Sequence, residues 1–296
     1  MVQLEERPGA APLAPEAPSG KGAGDENFPV GSFLLKPALR PHVAAYYAFA
    51  RAGDDIADDG ALAPSEKIAR LDAFAAALRG EAAFGQGYGK AHRLRESLLA
   101  RGISLERGLD LLRAFRQDSE KSRYANFEEL ESYCALSANP VGRFLIDLHG
   151  ESPALYEASD ALCSALQVLN HIQDCAKDLQ ALDRVYVPQD WLHLHGARIE
   201  DLRRDALTAP LRTVIDRMLA RCEAWITKAQ PLARGMKDRR FAWEAHMIVA
   251  LATRLCALLR AQDMLAKRVA LSKLDFAAAA LAGWKVAMFE RAPGPR

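Results

Sequence analysis

Gln167-Val-Leu-Asn170-His-Ile-Gln173-Asp174-Cys-Ala-Lys177-Asp178 places Asn170, Asp174 and Asp178 at intervals of four residues. Side chains at that interval share one face of a helix. The neighbouring text, Ala165, Leu166, Val168, Leu169 and Ile172, is apolar. A polar stripe on an otherwise apolar helix predicts a lined cavity. Taken alone, such a stripe is more often an exposed face or a satisfied buried network.

A second acidic stretch stands upstream: Arg51-Ala-Gly-Asp54-Asp55-Ile-Ala-Asp58-Asp59, preceded by the apolar run Val43 to Ala50. On a helix Asp54 stacks on Asp58 and Asp55 on Asp59. Like charges so placed oppose helix formation by about a few tenths of a kcal/mol per pair. In isolation the run reads as a solvated helix end. Two such ladders, both flanked by apolar text, point instead to metal-bound diphosphate. Carboxylate oxygens suit Mg²⁺, which keeps several waters and bridges to phosphate. A diphosphate with two or three Mg²⁺ needs carboxylates from opposite walls, so that positive charge gathers on the leaving group. The cation left behind needs apolar walls that exclude water.

The rest of the chain predicts an all-α protein. Residues 1–26 are rich in Pro, Ala and Gly and read as a disordered arm. Residues 27–296 read as one helical domain. Pro41 fits the first turn of a helix ending at Asp58, and Ser65 is placed to cap a helix to Arg79. A Gly-rich loop, 80–89, follows. Ala91 opens a helix that ends at Gly102, and Ser104 caps the next. Asn126 with Glu128 and Glu129 marks a helix entry, and Pro140 should break that helix before Gly150. A helix runs from about Leu155 to Leu182. Thr208 and Pro210 open a long one to about Gly235, and two more follow. Val185-Tyr186-Val187 is the one extended candidate.

Composition narrows the class further. A formal charge of +1 over 296 residues gives no electrostatic case for nucleic acid binding. Five cysteines without a CxxC predict reduced thiols and a cytoplasmic setting, and no Cys/His spacing fits zinc. The N-terminus lacks the basic start and apolar core of a signal peptide, and Arg254 interrupts the longest apolar stretch. The expectation is a cytoplasmic protein with room for peripheral contact with the inner membrane; Arg239, Arg240, Phe241 and Trp243 could make that contact, although an ordinary helix start is the better reading of them. No GxGxxG nucleotide fingerprint occurs. His193 and His195 read as a surface loop, and His171 points away from the Asn170 stripe. Lys177 is placed to offset the nearby carboxylates.

Four stretches resemble the squalene/phytoene synthase family. They are Tyr47-Ala-Phe-Ala-Arg51 through Asp59, Arg123-Tyr124 through Leu130, Tyr133-Cys134 through Gly142, and Gln167 through Asp178 with Arg184-Val-Tyr186-Val-Pro188. Order and spacing match over roughly residues 28–190. The resemblance implies a single-domain isoprenoid synthase fold with helices around a central active-site cavity. It implies Mg²⁺ contacts from Asp54, Asp58, Asn170, Asp174 and Asp178. It implies contacts to diphosphate or isoprenoid from Tyr47, Arg51 and Gln167, with Asn170 also at the substrate. It implies a cavity tyrosine, Tyr133, near the rearranging cation; a core tyrosine is its plainer alternative.

Departures from the family pattern add direction. Condensing members carry a Ser-x-Ser-Phe type segment that receives a second diphosphate; here the segment is Glu26-Asn27-Phe28. They tend to carry an arginine before the second ladder's aspartate; here it is Gln173. Ala138-Asn139-Pro140 stands where they often read Val-Ala-Gly. The pattern is similar to the hydroxysqualene synthase branch of bacterial hopanoid pathways. That branch ionises presqualene diphosphate, rearranges the cation and captures it with water, without a reductant. The resemblance thus implies an isoprenoid diphosphate substrate and a presqualene diphosphate synthase as upstream partner. Asn139 is a candidate for orienting the water, or a structural residue at the Pro140 break. The rivals are a synthase condensing two prenyl diphosphates, a non-catalytic assembly factor on the same fold, and a helical binding protein with solvated acidic faces.

Overall fold

Local chemistry explains where the helices start and stop. The computed structural model describes residues 35–81 and 87–289. The arm expected over residues 1–26 and the Glu26-Asn27-Phe28 segment lie outside the described residues, as does part of the Gly-rich loop. Helix α1 (Arg40–Asp58) has Pro41 in its first turn. Helix α2 (Pro64–Arg79) begins on Pro64, with Ala63 as N-cap and no side-chain cap. Ser65 therefore lies inside the helix rather than capping it. The fixed φ of proline pre-organises a first helical residue and removes one of the orphaned N–H groups. Gly80 ends α2 at φ 80°, a left-handed conformation that glycine adopts without steric cost.

Helices α3 (Gly89–Ala100) and α4 (Glu106–Glu120) follow. The Glu106 N–H donates to Ser104 Oγ at 3.2 Å, as the sequence predicts. Asn126 opens α5 (Phe127–Ser137), its Oδ1 accepting from the Glu129 N–H at 2.9 Å. The chain breaks at Ala138 and resumes as α6 (Asn139–His149), with Pro140 in the new first turn. The longest helix, α7 (Tyr156–Leu182), carries the second ladder.

Among the described residues, extended pairing is confined to one bridge, Arg123 with Val185. His193 and His195 sit in the last turn of α8 (Gln189–His195), not in a loop. Helix α9 (Ala209–Ala229) stops short of the expected Gly235, and a four-residue helix, α10 (Leu232–Gly235), completes the stretch. Pro231 has no N–H and crowds the preceding turn, which explains the interruption. Helices α11 (Arg239–Ala261) and α12 (Lys273–Phe289) close the chain.

Two large apolar cores, with a small third one between α11 and α12, organise these helices. One gathers Phe49, Phe74, Leu78, Leu94, Leu111 and Phe144 from α1–α4 and α6. The other gathers Phe127, Leu169, Ile172, Ile215, Met218 and Leu255 from α5, α7, α9 and α11. The first ladder therefore rides on one core and the second on the other. Helices α6 and α7 approach closely between them, where a Cβ on Gly142 would collide with Ser159 and Cys163.

Helix α11 is long and apolar enough by composition to cross a membrane. Half of its apolar window is buried, and Leu251, Ala252, Leu255 and Leu259 pack inside the protein, so it serves as a core helix.

Candidate active site

A cavity of about 260 Å³ opens between α1, α6, α7, α10 and α11. It lies on the boundary between the two cores: Val43, Tyr46 and Phe144 belong to one, Leu162, Leu232 and Ala245 to the other. Its walls rise in register with the ladders. Val43, Tyr47 and Ala50 line it from α1, and the next turn of that helix brings Arg51 and Asp54. Leu162 and Leu166 line it from α7. Adding four residues at a time leads from Leu166 to Asn170, Asp174 and Asp178 on the same face. Each helix thus presents an apolar lower half and a carboxylate-bearing upper half.

The two ladders face each other electrostatically. Burial pushes the Asp178 carboxyl up to about 7, and the charges of Asp174 on its own helix and Asp58 on α1 push the same way. Lys177, exposed beside them, opposes the shift, in line with the sequence reading. Asp55 and Asp59 do different work. Asp55 pairs with Arg51 Nε at 3.2 Å, and Asp59 Oδ1 accepts from the Ala61 N–H at 2.9 Å. Arg51 also pairs with Asp54, its NH1 lying 3.1 Å from the carboxylate.

Under the ladders lies a network that sequence reasoning missed. Arg184, 7 % exposed, reaches Asp58 Oδ1 at 3.2 Å and donates to the Asp118 carbonyl at 3.1 Å and the Tyr186 hydroxyl at 3.4 Å. Tyr133, expected at the cavity or in the core, is 4 % exposed in the core, outside the residues that line the cavity, and donates to Asp118 Oδ2 at 2.7 Å. Burial pushes the Asp118 carboxyl up to about 7 against the pull of Arg184 and Tyr133. Burial works against the Arg184 charge too, yet Asp118, Tyr186 and Asp58 outweigh it and raise its pKa.

Aromatic rings and a histidine complete this floor. Tyr124, Tyr133 and Tyr186 pack with ring centroids 5.5–5.8 Å apart. His171 stacks on Tyr186 at 3.5 Å, and burial depresses it to about 3, so it is neutral. Its Nε2 lies 3.2 Å from Gln167 Nε2, which ties Gln167 to the floor. Gln173 donates to the Val269 carbonyl at 2.7 Å. Asn139 is buried and accepts from the Ser164 hydroxyl at 3.0 Å, joining α6 to α7.

The donor set fits Mg²⁺. Asp54, Asp58, Asn170, Asp174 and Asp178 offer only hard oxygen ligands. Among the described residues no group of three or more His, Cys, Asp and Glu converges into a site that could hold a metal by itself. A cation that retains waters and takes phosphate oxygens does not need such a cage. Burial first, and then the charges of Asp174 and Asp58, raise the Asp178 carboxyl, and a divalent cation would relieve the second of these.

A test of that charge uses pH. The folded-state pKa of Asp178 lies above the 3.8 of an ordinary aspartate. Its ionisation therefore costs folding stability above about pH 7, and the cost fades as pH falls towards 4. Without metal, Asp178→Asn should raise Tm at pH 8 and lose that advantage near pH 4.5. Mg²⁺ should stabilise the wild type more than the variant. An equal Tm gain at both pH values would contradict the assignment.

An all-helical protein whose apolar cavity ends beneath two facing rows of carboxylates has the architecture of an isoprenoid synthase. The squalene/phytoene synthase family model matches residues 22–275, and the chain belongs to that family. It is 40 % identical over 281 residues to the hydroxysqualene synthase of Rhodopseudomonas palustris, covering 95 % of each chain. It is 42 % identical over 251 residues to that of Sinorhizobium fredii, covering 85 % of each. The crystal structure of squalene synthase HpnC from Alicyclobacillus acidocaldarius superposes with a TM-score of 0.69 at 32 % identity, over 79 % of this chain and 87 % of that one.

Proposed function

We propose that this chain converts presqualene diphosphate and water to hydroxysqualene and diphosphate. The observation that carries the reading is the cavity: apolar walls below, opposed carboxylates above, and one ladder contributed by each core. Relatives that share about two-fifths of its residues are hydroxysqualene synthases. Mg²⁺ bound with the diphosphate would supply the positive charge that makes it a leaving group.

The protein's own groups do the remainder. Asp54 and Asp58 hold the metal-diphosphate from α1, and Asn170, Asp174 and Asp178 hold it from α7. Arg51 turns from Asp54 towards the departing diphosphate, its charge worth most where water is excluded. Tyr47 and Gln167 border the first isoprenoid segment. Tyr133, held by Asp118, presents its ring towards the cation. Residues 27–296 form the catalytic domain in this reading. An upstream enzyme condensing two farnesyl diphosphates supplies the substrate.

Peripheral contact with the inner membrane from the cytoplasmic side belongs to the same proposal, because the product is a hydrocarbon alcohol. That surface is not at the start of α11, which is an ordinary helix entry capped by Asp238. Phe241 is buried at the cavity, and Trp243 donates to the Ala280 carbonyl at 2.8 Å. The outward face of α12 instead exposes Leu274 (81 %), Leu281, Trp284, Met288 and Phe289 (74 %), with Lys273 and Lys285 on the same side. Apolar groups flanked by lysines suit an anionic lipid interface.

One experiment tests the whole reading. The protein is incubated with Mg²⁺ and either presqualene diphosphate or farnesyl diphosphate, without NADPH, in the presence of anionic liposomes. A C30 alcohol from presqualene diphosphate alone, with protein floating on the liposomes, is the expected result. Turnover of farnesyl diphosphate would establish a condensing synthase instead, and protein left in the soluble fraction would remove the membrane contact.

A further inference from the structure

The proposed reaction needs a water at a defined place, beside the cation and close to the diphosphate that has just left. A buried histidine near that place has no part in the mechanism so far. His171, between Asn170 and Asp174 on α7, is 7 % exposed and lies flat on Tyr186, the ring centroids 3.5 Å apart. Arg184 in turn holds the Tyr186 hydroxyl at 3.4 Å. The imidazole is thus clamped, and its Nε2 meets Gln167 Nε2, one turn back along α7, at 3.2 Å. An amide NH2 carries donors only. His171 Nε2 therefore accepts, the ring proton sits on Nδ1, and the imidazole fixes which way round the Gln167 amide stands.

That orientation turns the Gln167 carbonyl oxygen away from the imidazole. Oε1 accepts no hydrogen bond from any described residue, and it is not occluded from water. Its level follows from its own helix. Leu166 and, one turn before Gln167, Cys163 line the apolar cavity. Asn170 comes three residues later, about 4.5 Å along the axis. Gln167 therefore stands at the seam between the hydrocarbon space and the second ladder, where the bond to diphosphate breaks. The other polar groups of this region are committed. Tyr133 donates to Asp118, Asn139 accepts from Ser164, and Gln173 donates to the Val269 carbonyl. A water enters an apolar chamber only where polar partners receive it.

We propose that the Gln167 carbonyl oxygen holds the capturing water and that His171 positions Gln167 for this role. The water donates one O–H to Oε1, which leaves an oxygen lone pair facing the cationic carbon. The C–O bond forms from that lone pair. The other O–H bond then breaks, and its proton passes to an oxygen of the departing diphosphate. The products are the alcohol and the protonated diphosphate, and no oxidant or reductant enters. The amide acts as neither acid nor base; it fixes the place and direction of the water. The inference rests on the reading of the chain as converting presqualene diphosphate to hydroxysqualene, and it names what separates water capture from simple proton loss by the cation.

The test compares wild type, Gln167→Met, His171→Leu and His171→Gln with Mg²⁺, presqualene diphosphate and ¹⁸O-labelled water. Labelled alcohol, C30 hydrocarbon and released diphosphate are measured on the same samples. The quantity compared is the ratio of alcohol to hydrocarbon. Only enzyme that turns over contributes to it, so partial unfolding does not move it. In Gln167→Met the ratio should fall about tenfold, the weight of one lost hydrogen bond. His171→Leu should lower it by less, because the amide is still present but can turn over. His171→Gln offers Gln167 a carbonyl acceptor and should recover part of the ratio. A wild-type ratio in Gln167→Met overturns the inference, including the case where alcohol and diphosphate release fall in parallel through a structural defect. A wild-type ratio in His171→Leu, or no recovery in His171→Gln, overturns the role of His171. Failure of the wild type itself to make any alcohol would instead overturn the function on which the inference rests.

Discussion

Asp54→Ala and Asp174→Ala are each expected to reduce diphosphate release from presqualene diphosphate by about a thousandfold or more, with the helical circular dichroism unchanged. Each removes one of the facing carboxylates that would gather cations on the leaving group. Neither residue packs a core; both are partly exposed at the mouth. Their charges burden the apoprotein, since Asp54 adds to the repulsion at Asp118 and Asp174 to that at Asp178. Metal-free Tm should therefore hold or rise in both variants. Losing activity while keeping stability separates a metal site from a structural acidic patch. Full turnover in either variant would remove the ladders from the chemistry.

Arg184→Leu should behave in the opposite way, with stability failing first. The guanidinium is almost wholly buried and touches Asp58, Asp118 and Tyr186 together. Without it, Asp118, whose side chain is 5 % exposed, keeps only the Tyr133 hydroxyl for its charge. Stranding a buried carboxylate costs about 3–5 kcal/mol, or roughly 10 °C in Tm for a chain of this size. Adding Asp118→Asn should recover part of that loss, because the stranded charge is then gone. Arg184→Lys should rescue poorly, since one ammonium cannot span three partners. Thermal melts of the single and double variants check this, and an unchanged Tm in Arg184→Leu would refute it.

The contrast between these sites explains what could be read in the sequence. The ladders were legible because both partners in each stack lie on one helix, four residues apart. The Asn126 cap and the Pro140 break were legible for the same reason, as local backbone chemistry. The Asp118–Tyr133–Arg184 network was not. Asp118 stands in Arg116-Gln-Asp118-Ser-Glu120-Lys121, which reads as the charged end of a surface helix. Its burial arises only when α5 and the segment after α7 fold over it.

Arg184 did carry one signal. It stands in one of the stretches that resemble the family, and it follows Asp183, which ends α7 at φ 48°, the one positive φ at a non-glycine among the described residues. Arg123 fixes that turn through the Asp183 carboxylate at 2.6 Å. The start of α11 is the ordinary helix entry that its sequence favoured, capped by Asp238, and α11 is covered on one side by α12 and faces the cavity on the other.

The cavity's position between two separately packed cores bears on how such a protein diversifies. Ala50, Val141 and Leu166 border the cavity, while the anchors of each core, such as Phe49, Phe74, Ile172 and Met218, do not line it. Exchanges at the border can lengthen or shorten the accommodated chain without unpacking either anchor set. Selection can thus retune product size in small steps, each taken on a scaffold that still folds.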